Sequence, residues 1–102
     1  MASVKLGGAS DVAAVTSEIQ DIVESLKSAV EQKLNRSLNV YRAISYRSQV
    51  VAGTNYFIKV AVGDPDECIH MRVYQPLVHT GESVSLVSIQ TDKRLLDEIE
   101  YF

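Results

Sequence analysis

The sequence predicts an α+β domain in which one amphipathic helix packs on an antiparallel sheet. Three observations support this: a single helical stripe in the N-terminal part, a rise in β-branched and aromatic residues after Asn39, and short polar breaks that divide the rest into strands. A chain of 102 residues has room for one hydrophobic core. We therefore expect a single domain over residues 1–102.

The helix is predicted from Ser17 onward. Ser17 and Gln20 have the spacing of a capping box. Lys33 and Arg36 come where the negative end of a helix favours cations. Between these signals, apolar residues recur at steps of three and four and so share one face: Ile19, Ile22, Val23, Leu26, Val30 and Leu34. The pattern indicates one long helix whose apolar face must be covered.

Four strands are predicted after the helix, over residues 40–51, 55–62, 68–74 and 83–90. The breaks between them are short, which indicates antiparallel neighbours. In the third strand Ile69 and Met71 alternate with His70 and Arg72, so one face of the sheet is apolar. The apolar sheet face and the helix are expected to bury each other.

The turns of this sheet fall at defined ends. Successive hairpin turns lie at alternate ends of a meander, so the breaks at 52–54 and 76–81 share one end and the turn at 63–67 lies at the other. Residues 1–10 show no periodicity and contain Gly7 and Gly8, which is typical of a mobile arm. If the arm reaches the end shared by the two breaks, three segments form one edge.

Composition excludes several classes of protein. With a net charge of −3 and no basic stripe, the chain lacks the electrostatic footprint of a nucleic-acid-binding protein. No apolar run approaches the roughly 20 residues that span a bilayer, and residues 1–10 contain no secretory signal. Cys68 is the single cysteine and cannot form an internal disulfide, which fits a reducing compartment. We expect a cytoplasmic protein.

Cys68 and His70 require a separate interpretation, because residues two apart on a strand point to the same face. A nucleophilic site would also need an orienting group and oxyanion donors, and a metal site would need further ligands. Nothing at a recognisable spacing supplies either. We expect a thiol at a strand edge beside a surface histidine, with no catalytic residue, metal or cofactor.

The run at 49–53, with sequence QVVAG, resembles the first-hairpin signature of the cystatins. Residues 48–60 resemble the stefins, the cystatins without disulfides, almost throughout, and the similarity extends from about Gly7 to the Tyr101-Phe102 ending. The resemblance implies an about five-stranded antiparallel sheet wrapped around one long N-terminal helix, with a short N-terminal strand as the fifth element. Leu95, Leu96 and Ile99 alone suggest a short partner-binding helix, but the resemblance implies an extended segment.

In function, the resemblance implies a reversible, competitive, tight-binding inhibitor of papain-like cysteine peptidases of the cathepsin type, and not an enzyme. It would block the active-site cleft with an N-terminal trunk and two hairpin loops, and Leu6 would occupy an apolar substrate pocket. The glycine beside it would turn the chain away from the nucleophile. The residues that correspond to this inhibitory wedge are Leu6, Gly7, Gly8, Gln49, Val50, Val51, Ala52, Gly53, Leu77, Val78 and His79.

The second loop departs from the stefin pattern, because Val78 stands where stefins usually have proline. Two other classes of function stay open. One is a hydrolase or redox enzyme built around Cys68. The other is a non-inhibitory protein of the same fold that assembles by exchanging strands, with residues 50–53 as the hinge. We expect a monomer, with a domain-swapped dimer as the alternative.

Overall fold

The computed structural model describes residues 10–102, which form a five-stranded antiparallel sheet with two short helices on one face. The strands follow one another in the sheet in the order β1-β2-β3-β4-β5. The predicted α+β class and five-stranded sheet are confirmed, and the fifth strand is the short N-terminal one. In chain order the elements are β1 Ala13–Ala14, α1 Ser17–Ser25, α2 Lys27–Leu34, β2 Arg42–Val51, β3 Gly53–Gly63, β4 Glu67–Gln75, a single 3₁₀ turn Val78–Thr80, and β5 Ser85–Lys93.

The prediction of one long helix is wrong, because the helix is interrupted at Leu26. This residue has φ −101° and ψ 6°, outside the helical region, and it separates α1 from α2. The Val30 amide nevertheless donates to the Leu26 carbonyl oxygen at 3.0 Å, so the second helix continues closely on the first. The apolar stripe therefore survives the break, with Ile19, Ile22, Val23 and Val30 buried.

The helix ends also differ from the sequence prediction. Thr16, and not Ser17, caps α1, since its hydroxyl oxygen accepts from the Ile19 amide at 3.2 Å. Asn35 ends α2 in the left-handed conformation, with φ 56°. Arg36 lies beyond that cap and forms an ion pair with Glu67, with Nη1 and Oε2 2.9 Å apart. The pair connects the end of the helical segment to the start of β4.

The hydrophobic core lies between the helices and the inner face of the sheet. Tyr41 closes one side of it and donates its hydroxyl to the Val23 carbonyl oxygen at 2.7 Å. Each buried aliphatic side chain contributes roughly 1.5–3 kcal/mol relative to exposure. The fully buried sheet residues that face the helices alternate along the strands, as predicted: Ile58, Val60, Ile69, Met71 and Val73.

The outer face of the sheet is covered by residues 94–102, which we call the C-terminal strap. Cationic side chains of the sheet donate to strap carbonyl oxygens: Arg47 Nη1 to Ile99 at 2.8 Å and Arg72 Nη1 to Phe102 at 2.6 Å. Lys59 Nζ donates to two further strap carbonyls, those of residues 95 and 97. The strap contains a turn and no helix, so the short helix suggested by its leucines is not formed.

This cover corrects the prediction for Cys68 and His70. Both side chains are fully buried on β4, a strand paired on both sides, and are neither at a strand edge nor on the surface. The physical reason is the strap, which shields a face whose polar residues suggested exposure. Over residues 10–102 neither helix is long and apolar enough to cross a membrane.

Candidate functional site

The first hairpin turn, between β2 and β3, is very tight. Val51 pairs with Gly53, which leaves Ala52 alone at the tip. Gly53 has φ 105°, a conformation that favours glycine. A Cβ atom at this position would lie 2.6 Å from the Gln75 carbonyl oxygen and 2.7 Å from the Tyr74 hydroxyl oxygen. The turn therefore requires glycine both for its backbone angle and for its contact with β4.

Tyr74 connects this turn to the neighbouring strand. Its hydroxyl donates to the Ala52 carbonyl oxygen at the tip of the first turn. Thr54, just after the turn, pairs with Gln75, the last residue of β4. The first turn and the start of the second loop are thus adjacent, which confirms the prediction that they share one end of the sheet.

The exposed part of the first turn is apolar. Val50 is 78% exposed and Val51 45% exposed. Gln49 differs from them, because it is only 4% exposed and points into the outer face. Its Nε2 donates to the Tyr101 hydroxyl oxygen at 2.7 Å, and its Oε1 accepts from Asn55 Nδ2 at 3.0 Å. Of the predicted first-turn residues, the two valines are therefore exposed to solvent, whereas Gln49 is buried and stabilises the hairpin through hydrogen bonds.

The second loop, at the same end of the sheet, also carries exposed apolar side chains. Val78 is 96% exposed and Leu77 is 42% exposed, with His79 exposed beside them. The loop is held by local bonds, in which the Thr80 amide and hydroxyl both donate to the Leu77 carbonyl oxygen at 3.0 and 2.7 Å. The three residues predicted for this loop thus lie together at its outer surface.

The predicted arm residues Leu6, Gly7 and Gly8 lie outside the described residues. Ser10, the first described residue, lies against β2: its amide donates to the Ser48 carbonyl oxygen at 2.6 Å, and the Ser48 amide donates to its hydroxyl oxygen at 2.9 Å. Because β1 is antiparallel to β2, the chain direction from β1 back to Ser10 is the direction of the first hairpin.

Comparison with known proteins identifies the family. A family model described as the cystatin domain matches residues 7–95. The chain is 46% identical to cystatin-B of Mus musculus over 96 residues, which cover 94% of this chain and 97% of that protein. It belongs to the stefin family of cystatins. It is also 48% identical to stefin-C of Bos taurus over 97 residues, 95% of each chain, and 46% identical to cystatin-B of Homo sapiens over 96 residues, 94% of this chain and 97% of that protein.

The buried polar groups of this stefin do not have the chemistry of an activated nucleophile. Burial raises the pKa of the Cys68 thiol, which favours the unreactive protonated form. Burial, together with Lys59 and Lys93, lowers the pKa of His70 to about 4 against the opposing charge of Asp97. A neutral histidine beside a protonated thiol, both fully buried, offers no accessible nucleophile.

Sequence reasoning missed three residues that support the site: Tyr74, Asn55 and Tyr101. The strand alternation that places Arg72 on the outer face also places Tyr74 there, so a signal for Tyr74 was available once the strand register was assumed. Asn55 could be recognised only once its pairing with Gln49 across the hairpin was known. No sequence pattern pointed to Tyr101, because it lies in a segment without periodicity. The path of that segment over the sheet is set by tertiary contacts.

Proposed function

We propose that this stefin is a reversible, competitive, tight-binding inhibitor of papain-like cysteine peptidases of the cathepsin type. The observation that carries the proposal is the group of exposed apolar side chains at one end of the sheet, Val50, Val51, Leu77 and Val78. Exposed apolar groups of this kind mark interaction surfaces. Membership of the family, whose members are inhibitors of cysteine peptidases, supports cysteine peptidases as the partner class.

Inhibition by occupancy follows from the shape of the first turn. Val50 and Val51 project at a narrow tip with Ala52, where small side chains permit close approach to a cleft. Gly53 is buried and its φ of 105° reverses the chain direction, so the tip itself does not run along a cleft as an extended substrate would. Binding therefore requires no covalent step, and the complex should dissociate to the intact inhibitor.

The N-terminal arm is the third proposed contact, through Leu6, Gly7 and Gly8. Support comes from Ser10, which is bonded to Ser48 near the hairpin end of β2. We assign Gln49 a different role from the other proposed residues, because its side chain is committed to bonds inside the fold. His79 would contact the enzyme at the margin of the second loop.

The test is a titration of papain with the chain, followed with a fluorogenic substrate. We expect stoichiometric loss of activity that recovers on dilution, while trypsin and a metallopeptidase are unaffected. Cys68→Ser should leave inhibition intact when assayed where the variant is folded, since the thiol is buried away from both loops. Equal inhibition of trypsin, or turnover that is lost in Cys68→Ser, would contradict the proposal.

A folded chain without affinity for papain would instead favour the non-inhibitory, strand-exchanging alternative. Size-exclusion chromatography of the same sample distinguishes the two, because strand exchange through residues 50–53 produces a dimer. We also propose a cytoplasmic location, with neither nucleic acid nor membrane as partner. The acidic net charge of −3 supports the exclusion of nucleic acid.

A further inference from the structure

We propose that Tyr74 is a positioning residue for the first hairpin turn. Its hydroxyl holds the tip at Ala52 in the closed conformation before any peptidase binds. The expected effect on affinity rests on the proposed function, whereas the expected effect on the turn belongs to the free protein. Tyr74 acts through the Ala52 carbonyl and does not need to contact the peptidase.

The tip of the first turn depends on a partner from outside the hairpin. The pairing of β2 with β3 ends at Val51 and Gly53, so it leaves out Ala52, which is exposed. A backbone carbonyl without a strand partner bonds either to water or to a side chain. The Tyr74 hydroxyl donates to the Ala52 carbonyl oxygen from β4, a strand that forms no part of the turn. The position of the tip is therefore coupled to a third strand.

Tyr74 can fix the tip because its own backbone is held on both sides. It lies near the end of β4 and pairs with Asn55 of β3 and with Ser85 of β5. Its half-buried side chain extends to the turn. A Cβ atom at Gly53 would lie 2.7 Å from the Tyr74 hydroxyl oxygen and 3.0 Å from the ring atom Cε1. The ring thus packs directly on the glycine, which places the hydroxyl at the neighbouring Ala52.

The contact with Tyr74 favours the closed turn over more open conformations. The left-handed φ of 105° at Gly53 reverses the chain and brings the Ala52 carbonyl to the hydroxyl. If the tip opens, this carbonyl moves away from Tyr74 and the bond is lost. A bond made in only one of two conformations shifts the population toward that conformation. Because Val50 and Val51 directly precede the tip, the closed population presents both valines in one arrangement.

The decisive variant is Tyr74→Phe, which keeps the ring and removes the hydroxyl. Its matched control is Tyr41→Phe, which removes a hydroxyl that donates at 2.7 Å to the Val23 carbonyl on the helix side of the sheet. In the free protein, Tyr74→Phe should change the carbonyl-carbon chemical shift of Ala52, because that oxygen loses its donor. It should also speed amide hydrogen exchange at Gly53 relative to the amides of the core.

Binding of papain should become about two- to fivefold weaker in Tyr74→Phe. This is the lower part of the range for an ordinary hydrogen bond, since the Tyr74 side chain is only half-buried. Tyr41→Phe should lower overall stability and leave the Ala52 chemical shift, the relative exchange rate at Gly53 and the affinity for papain unchanged.

A double-variant comparison tests whether Tyr74 acts through the turn. In a Gly53→Ala background the added Cβ atom would lie 2.7 Å from the hydroxyl oxygen, so we expect the contact with Ala52 to be broken already. Tyr74→Phe should therefore have no further effect on exchange in that background. A full further effect, a wild-type chemical shift and exchange rate in Tyr74→Phe, or equal changes in Tyr41→Phe would each overturn the proposal.

The two kinds of measurement separate positioning from direct contact. Weaker papain binding by Tyr74→Phe with unchanged exchange would make Tyr74 a contact residue and would also overturn the proposal. The chemical shift and the exchange rate are measured without peptidase. They decide the positioning role even if the wild type fails to inhibit papain and the proposed function falls.

Discussion

The two loops at the hairpin end both expose valines, but they are supported in different ways. The first turn is fixed by neighbouring strands, through the hydroxyl of Tyr74 on its tip and through the Gln49 contacts at its base. The second loop is held by bonds of Thr80 within the loop itself, and Gly81 has open space around it. One loop is therefore braced by the fold and the other by its own short turn.

The difference predicts how the two loops contribute to binding. A loop that is already ordered loses little conformational freedom when it binds, whereas a loosely held loop must be ordered at a cost. Val78 is more exposed than Val50, yet we expect Val50 to contribute more to affinity, because its backbone is fixed in advance. Exposure alone does not rank the contacts.

The strongest test compares alanine at the two left-handed glycines of these loops. At Gly53 a Cβ atom would lie 2.6 Å from the Gln75 backbone, so the turn must move, at a cost of about 1–3 kcal/mol and up to about two decades of papain affinity. At Gly81, φ is 70° with nothing within 4 Å of the added atom, so Gly81→Ala should cost only about 1–2 kcal/mol of stability. Inhibition titrations and urea unfolding of both variants provide the measurement.

Equal losses of affinity in Gly53→Ala and Gly81→Ala would show that the two loops are equivalent. Gly53→Trp extends the test, because a large side chain would hold the hairpin out of a cleft. If Gly53→Trp keeps both a native circular dichroism spectrum and full inhibition, the first turn is not a contact.

Acidification tests the outer face that braces the first turn. The pKa of His70 is about 4, lowered by burial and then by Lys59 and Lys93, while an unfolded histidine titrates near 6.5. Between these pH values His70 is protonated in the unfolded chain and neutral in the folded chain. The free energy of unfolding therefore falls as the pH falls from about 6.5 to 4. One pKa unit corresponds to about 1.4 kcal/mol, so we expect a loss on the order of 2–3 kcal/mol.

The measurement is urea unfolding from pH 7 to pH 4 in wild type, His70→Gln and His79→Gln. His70→Gln should flatten the pH dependence whatever its effect on absolute stability, because the titrating group is gone. His79→Gln replaces the exposed histidine of the second loop and is the matched control for the loss of a histidine. A slope that survives in His70→Gln would assign the effect to other groups.

Removal of residues 1–6 adds a third contact to the comparison. Burial of Leu6 in an apolar pocket is worth roughly 1.5–3 kcal/mol, part of which is offset by the general costs of association, so we expect about a tenfold loss of affinity. The loss should appear as faster dissociation, since interface changes act mainly on the off-rate. Stopped-flow kinetics with papain would reveal it, and identical dissociation rates would reduce the proposed wedge to two loops.

The smallest effect is expected from Val78→Pro. Leu77 has φ −59° and ψ 142°, the extended conformation preferred before proline, and Val78 opens the 3₁₀ turn, where a missing amide hydrogen is tolerated. The substitution should stabilise by about 0.4–1 kcal/mol through the unfolded state. Thermal unfolding measures this gain, and a lower melting temperature would show that the loop requires the Val78 amide.

The predictable parts of the fold are those that local patterns in the amino-acid sequence specify. Runs of β-branched and aromatic residues between short polar breaks located β2 to β5 and their shared turns, and alternation indicated the inward faces of β3 and β4. The break at Leu26 was not predictable, because the apolar stripe passes through it unchanged. The cover over the outer face was also invisible, because His70 and Arg72 have the pattern of solvent-facing residues until the strap is placed over them.

The candidate site divides in the same way. The apolar tip of the first turn could be found from the QVVAG run alone, as could the need for glycine at position 53. The inward direction of Gln49 could not, since it depends on Tyr101, which is 52 residues away in sequence. The residue types of a loop can be taken directly from the sequence. The tertiary contacts that stabilise the loop depend on distant segments that pack beside it and cannot be predicted in this way.

The buried thiol of Cys68 gives this molecule a built-in reporter. Its side chain has no exposed surface, and burial raises its pKa, so an alkylating reagent reaches a reactive thiolate only when the cover over β4 opens. Since the chain contains one cysteine, the rate of alkylation counts these openings at a single defined position. Mass spectrometry of alkylated samples could thus follow opening of the outer face without any change to the sequence.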